Sequence, residues 1–542
     1  MEESDKEIQG DPQNARRSAL TWKQRFHYVL MNVTVEPMLA CHIIPSFMAS
    51  LATQNLNLEK ACRVNLRYSK EVCDALSERR TQNYVVEETN VQQLVASMLV
   101  WKTALQSSLP ALLVMFVGSW SDRWRKRKPL MLFPILGDFM TAIGLLICTY
   151  FFDELPMEVA GFVEAFFPAV TGGWFILFVG VLSYIADITT EEVRTLRIGI
   201  VTVFCSLGIP IGQALSGVLY QKIGFYGVFF VSAMAYIIGF CYGYLCVKEP
   251  KQIDDSIVHD KIFGLLRDFF NVGHLVDTFK VAFKERQNNK RIELIMLTVV
   301  TMVVCGPMQG EPAVVYLYTR LRFNWNEIDF SIFSTYSMCT GFIGTAITVG
   351  LLSHIWKVHD AIIGMCSCTS KILACFVYGF ARTAAVFYLG AAVEIFNNTS
   401  LIVARSITSK LVPRDELGKV NSLFGLCEAV VPVIYGPMYS ATYAATINTM
   451  PGAFYIIGGS LTVFAALMFG WLYIQAMRIQ KEGNVNEQTM PKQEAQSRES
   501  SGTSMSNQEA RNDGATGIPG ITENTSIAQS SGAINLAFHI ER

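Results

Sequence analysis

About twelve apolar runs, each roughly twenty residues long and parted by short charged connections, limit this chain more than any other feature. A run of that length crosses the hydrocarbon of a bilayer only as a helix, because no water is there to take up open backbone groups. The first half places them at 26–51, 91–116, 130–152, a fourth ending near 188, 198–220 and a sixth ending at 247. The second half repeats the layout at 292–317, 330–352, 361–381, 385–411, 421–443 and 454–477. The fold class that follows is an all-α polytopic membrane protein, with about twelve transmembrane helices in two pseudo-symmetric six-helix halves, 26–247 and 292–477. Composition agrees, since 51% of residues are hydrophobic and only 16% are charged. A net charge of −1 argues against nucleic acid as a partner, because counterion release needs a basic surface.

The second and third runs are joined by Gly118-Ser-Trp-Ser121-Asp122-Arg123-Trp-Arg125-Lys126-Arg127-Lys128-Pro129. So many cations between two spans place the loop on the cytoplasmic side. With an even number of spans, both termini then face the cytoplasm, as do the 1–25 segment, the basic linker 248–291 and the tail 478–542. That tail is rich in Ser, Asn, Gln and Glu and is expected to be disordered. Gly350-Leu-Leu-Ser353-His354-Ile-Trp356-Lys357 echoes the motif in the second half, as duplicated units would. The polar loop 52–90 falls on the opposite side, where Cys62 and Cys73 can pair if the compartment is oxidising. Gly118, Asp122, Arg123 and Arg127, with Asp187 and Arg197 of a second charged connection, are candidates for a gate that bridges helix ends in one conformation and frees them in another. A solvated run that only sets topology is the alternative.

Ionisable residues inside spans cost a few kcal/mol each to insert and are functional candidates by default. Glu36, Lys102, Asp138, Glu311, Lys371, Glu394 and Glu428 stand in such places. Glu36-Pro37 and Gly310-Glu311-Pro312 set a proline beside the acid, which frees a backbone carbonyl toward a cavity. Asn397 and Asn398 follow Glu394 by about one turn, so the three can form one polar patch. Desolvation favours the protonated form of a buried acid, the physical basis of proton coupling. A purely structural reading has acids and bases pin helices together, Lys102 with Glu36 for example. No Ser-His-Asp set, metal-ligand cluster or phosphate loop occurs, so neither an enzyme nor a cofactor is expected.

The motif at Gly118–Pro129 and the two six-span halves resemble the major facilitator superfamily. More narrowly, Gly118-Ser-Trp-Ser-Asp122, Tyr184-Ile-Ala-Asp187 with Arg194-Thr-Leu-Arg197, and Arg405-Ser-Ile-Thr-Ser409-Lys410 look like the proton-coupled folate transporter and its sister carriers. The resemblance implies alternating access around a cavity lined by the first, fourth, seventh and tenth spans. Glu36, Glu311 and Glu394 would face it, and Asp138 and Lys371 would be peripheral. It also implies a small anionic solute drawn by Arg405 and Lys102, protons as the driving ion, and a plasma or lysosomal membrane. A receptor or scaffold on the same shell, presenting the 52–90 loop and the tail, is the competing class.

Overall fold

In the computed structural model, residues 34–124, 126–189, 191–249, 290–412 and 414–489 are described, and they are helical with no strand among them. The segments at 1–25, most of 248–291 and the end of the tail lie outside the described residues. The helices are α1 (Glu36–Lys60), α2 (Lys70–Ser77), α3 (Val85–Trp124), α4 (Lys128–Tyr150), α5 (Met157–Thr171), α6 (Gly173–Ile188) and α7 (Glu191–Leu245) in the first half. The second half has α8 (Lys290–Phe323), α9 (Glu327–Ile347), α10 (Asp360–Phe380), α11 (Ala384–Val393), α12 (Thr399–Leu411), α13 (Arg414–Thr446) and α14 (Ala453–Thr489).

Ten segments are long and apolar enough to cross a membrane. One of them, Arg197–Leu245, is two helices joined at Gly224, whose φ of 63° needs a glycine. With α1, too polar in its last turns to qualify by hydropathy, the described residues make twelve crossings.

Three of the spans depart from a plain helix. The fourth is broken at Gly172 and Gly173, both left-handed (φ 89° and 51°), into α5 and α6. The tenth is broken between α11 and α12 by a 3-10 turn, Glu394–Phe396. The first runs past its expected end: α1 continues to Lys60 and a π turn, Ala61–Asn65, so the loop at the far end is shorter than 52–90. The polar residues that mimic a loop are satisfied inside the bundle instead. Asn55 donates to Glu327 Oε1 at 2.8 Å, and fully buried Lys60 donates to the carbonyls of Phe152 and Leu155, each at 2.8 Å. Lys60→Met would orphan both carbonyls at about 1–3 kcal/mol each, and a thermal unfolding scan should show a clear fall in midpoint.

Small residues set the tightest helix contacts. A Cβ on Gly212 would stand 2.7 Å from the carbonyl oxygen of Ile44, so α7 lies directly on α1. A Cβ on Gly217 would stand 2.5 Å from the carbonyl oxygen of Glu327, which joins the halves at α7 and α9. Ser331 Oγ adds a bond across the same seam, donating to the Gln213 carbonyl at 2.6 Å.

Candidate functional site

The break in the tenth span builds the most charged site of the second half. Breaking a helix inside a membrane strands carbonyls, and hydroxyls from α10 take them up. Ser367 Oγ reaches the carbonyls of Phe396 and Asn397 at 2.7 and 2.9 Å, and Ser370 Oγ donates to that of Val393. Gly344 of α9 lets the Ile395 carbonyl come so close that any Cβ there would overlap it.

Beside this break, Lys371 of α10 is 3% exposed and sits between two acids. Its Nζ lies 2.8 Å from Glu311 of α8 and 2.7 Å from Glu394 Oε1. Asn397 Nδ2 also donates to Glu394 Oε1, at 2.9 Å. One ammonium and two carboxylates sum to −1, so the cluster has room for one proton or for one further cationic group. Tyr439 Oη lies nearby against Gly458, buried and without a hydrogen-bond partner among the described residues.

Lys371 is therefore central to this cluster, a correction to its expected peripheral place: its long side chain reaches from α10 through the gap that the broken tenth span leaves. Asn398 does not join the patch. Its amide faces Gly341 of α9, because the 3-10 turn rotates it away from Glu394 and Asn397.

The remaining candidates are held in separate pairs. Lys102 forms an ion pair with Glu164 of α5, not with Glu36. Glu36 instead accepts from Arg197 Nη1 at 2.9 Å and from the backbone N–H groups of Thr34 and Val35, just before α1. Arg405 binds Glu428 and is 53% exposed, the most accessible of these cations. Asp138 of α4 stands 3.2 Å from His42 of α1.

At the motif end, Arg127 Nε donates to Asp187 Oδ2 at 2.7 Å and its Nη1 to Ser121 Oγ at 2.6 Å. Its backbone N–H donates to Glu249 Oε1 at 2.8 Å, so the ends of the second, third, fourth and sixth spans meet in one knot. The side chains of Asp122 and Arg123, and the contacts of Gly118, lie outside what is described.

At the opposite end a disulfide joins Cys62 to Cys73. It anchors α2 beside a seal that crosses between the halves. Arg320 of α8 donates to Glu88 Oε1 of α3 and to the Leu76 carbonyl of α2, each at 3.0 Å. Arg79 donates to the same Glu88 oxygen at 3.1 Å and to the Arg320 carbonyl at 2.6 Å. Tyr316 donates to Asn55 Oδ1 at 2.7 Å, and Tyr443 to Gln92 Oε1 at 2.7 Å. Glu88, Arg320 and Asn55 also line a cavity of about 210 Å³ at this end, with Glu59, Val91 and Glu327 among others. Removing Cys62 and Cys73 as a serine pair should cost about 3 kcal/mol by the chain-entropy relation for a separation of 11 residues, read as a lower unfolding midpoint that reductant no longer changes.

Glu164, Glu88, Arg320, Glu327 and His42 escape the sequence reading. Glu164 and His42 carry the same signal as the acids that were found, an ionisable group inside an apolar run. Glu88, Arg320 and Glu327 look like ordinary charges at span ends, and nothing local tells them apart.

The chain matches the sequence profile described as Major Facilitator Superfamily over residues 81–396. It is 24% identical over 479 residues to the probable peptidoglycan muropeptide transporter SLC46 of Drosophila melanogaster, covering 86% of each chain. It is 24% identical to the lysosomal proton-coupled steroid conjugate and bile acid symporter of Gallus gallus, over 81% of this chain and 93% of that one. The proton-coupled folate transporter of Rattus norvegicus is 23% identical over 66% and 74% of the two chains. In fold, the chain is similar to the human organic anion transporter MFSD10, with a TM-score of 0.52 at 14% identity over 80% of this chain and 98% of that one. The chain belongs to the major facilitator superfamily, as a solute carrier similar to the proton-coupled folate transporter and its sisters.

Proposed function

We propose that the chain is a proton-coupled carrier of a small anionic organic solute, working by alternating access. The observation that carries this reading is the Lys371 cluster: a buried ammonium held by two carboxylates, with a net charge of −1 that one proton brings to zero. A cluster that is neutral with a proton and charged without one makes the cost of moving through the bundle depend on proton occupancy. Coupling requires that dependence. The named activities of the relatives, which include two proton-coupled carriers, support the same reading.

With one of its glutamates protonated the cluster is neutral and no longer repels an anionic solute. Both cations have an acidic partner, but Arg405 is exposed and would attract the solute at the motif end, whereas Lys102 is buried with Glu164 and less available for it. The Glu88–Arg320 seal closes the disulfide end, and the Arg127–Asp187 knot holds the motif end. In this reading the motif end faces the cytoplasm, and the disulfide end faces the outside or a lysosomal lumen, where an oxidising environment suits Cys62 and Cys73.

Counterflow into vesicles separates a carrier from a receptor on the same shell. Vesicles holding the purified chain, preloaded with one of a panel of steroid sulfates, folates or muropeptides, should take up the labelled form of that solute with saturation. A folded protein that exchanges none of these or other organic anions overturns the reading.

A further inference from the structure

The two halves carry ion pairs at matching places with the signs exchanged. At the motif end, Arg127 before the third span meets Asp187 at the end of the fourth, whereas Asp360 at the start of the ninth meets Lys410 at the end of the tenth. Deeper in the second half, Lys371 stands eleven residues after the start of α10 (360 to 371) and meets Glu311 of the seventh span. In the first half, Asp138 stands ten residues after the start of α4 (128 to 138) and meets His42 of the first span. Each half thus ties its first span to its third by one buried contact between acid and base, with a break in its fourth span close by.

His42 is 3% exposed, and its Nδ1 lies 3.2 Å from Asp138 Oδ2 without the alignment of a hydrogen bond. Two lone pairs at that distance repel, so the contact requires a proton on one of the two atoms. The imidazole ring stacks on Trp174, with centroids 6.2 Å apart and planes at 9°, and lies against Tyr236, whose hydroxyl is bonded to Ser46 at 3.0 Å. Cys41 is its neighbour on α1. Two other ion pairs lie within the first half's spans, Arg197 with Glu36 on α7 and α1, and Lys102 with Glu164 on α3 and α5.

We infer that His42 and Asp138 form a second proton-binding site, the first half's counterpart of the Lys371 cluster. With one proton between the ring and the carboxylate the pair sums to −1. A second proton from solvent, taken by the ring, makes imidazolium beside carboxylate, and the sum is zero. The change is the same as in the second half, so each half binds one proton at its own site. The inference concerns proton binding alone and stands or falls apart from the coupling role given to Lys371.

Trp174 supplies the readout, because a protonated imidazole stacked on an indole quenches its emission. The purified full-length chain in detergent is titrated from about pH 8 to about pH 4, a range that brackets ordinary imidazole chemistry. The difference in emission between the parent and Trp174→Phe should show a one-proton quenching step. His42→Gln should remove that step, and Asp138→Asn should move its midpoint down by a unit or more, since the carboxylate that stabilises imidazolium is gone. The substitutions lie on three helices, and each is scored only if it elutes and unfolds as the parent does. If His42→Gln misfolds, His42→Asn is titrated in its place, and infrared difference spectra of the parent and that variant between the two pH limits should differ by one imidazole, the other six of the seven histidines cancelling. Identical titrations in the parent and the folded His42 variant, or spectra that differ by no imidazole band, overturn the inference.

Discussion

Glu394→Gln is expected to uncouple solute uptake from the proton gradient while leaving solute exchange intact. The substitution turns the cluster from −1 to zero, because Lys371 keeps Glu311 as its partner 2.8 Å away. A neutral pair has no charge for a proton to remove. In the parent, a pH difference of one unit is worth about 1.4 kcal/mol per proton and can hold a roughly ten-fold solute gradient. In the variant the accumulation ratio should fall to about one, with counterflow kept. Glu311→Gln should act alike through the Lys371–Glu394 pair. The double variant is a worse test, because it leaves a buried ammonium alone at a cost of about 3–5 kcal/mol and endangers the fold. Gradient-driven accumulation that survives in both single variants would remove the cluster from the coupling path.

The second large effect is expected at the disulfide end. Arg320 is 5% exposed and ties Glu88, the Leu76 carbonyl and Asn55 together across the seam between the halves. Arg320→Gln takes one of two guanidinium partners from buried Glu88, which keeps Arg79 at 3.1 Å, and orphans the Leu76 carbonyl, a loss of about 3 kcal/mol in bonds that join the halves at that end. The shift should favour opening by about a hundred-fold or more, since each 1.4 kcal/mol is ten-fold. Val91 is 2% exposed and lines the same cavity as Glu88 and Arg320, so a cysteine there reports access. In intact cells or right-side-out vesicles, Val91→Cys should resist a membrane-impermeant maleimide in the parent and react rapidly with Arg320→Gln added. Equal protection in both would mean that the closed end is held by the helix seams, not by this network.

The outline of the molecule was legible because apolar length and charged connections are local signals. The motif from Gly118 to Pro129 located the turn between the second and third spans, where Arg127 and Asp187 meet. The partners of the buried charges were not legible, since pairing joins residues scores or hundreds of positions apart. Glu36 meets Arg197 and Lys102 meets Glu164, whereas spacing alone offers Lys102 for Glu36 just as readily.

Lys371 shows how a sound rule can misplace a residue. Spans of its type lie at the periphery of such bundles, but a lysine side chain is long, and the break at Glu394 opens a path inward. The first span's end was misjudged for a related reason. Asn55, Asn57, Glu59 and Lys60 read as loop by composition, yet they find partners inside the bundle or line the cavity, so the helix keeps its polar turns. Charges at span ends, such as Glu88 and Arg320, carry no local mark of the seal they form.

The most direct test of the central claim is uptake into vesicles containing the purified chain, with an acid-outside gradient imposed and a panel of organic anions offered. The account predicts uphill accumulation of at least one member that collapses on adding a protonophore and is absent in empty vesicles. Saturable uptake of the same solute that is equal with and without the gradient would contradict it, leaving a carrier that moves its solute without protons.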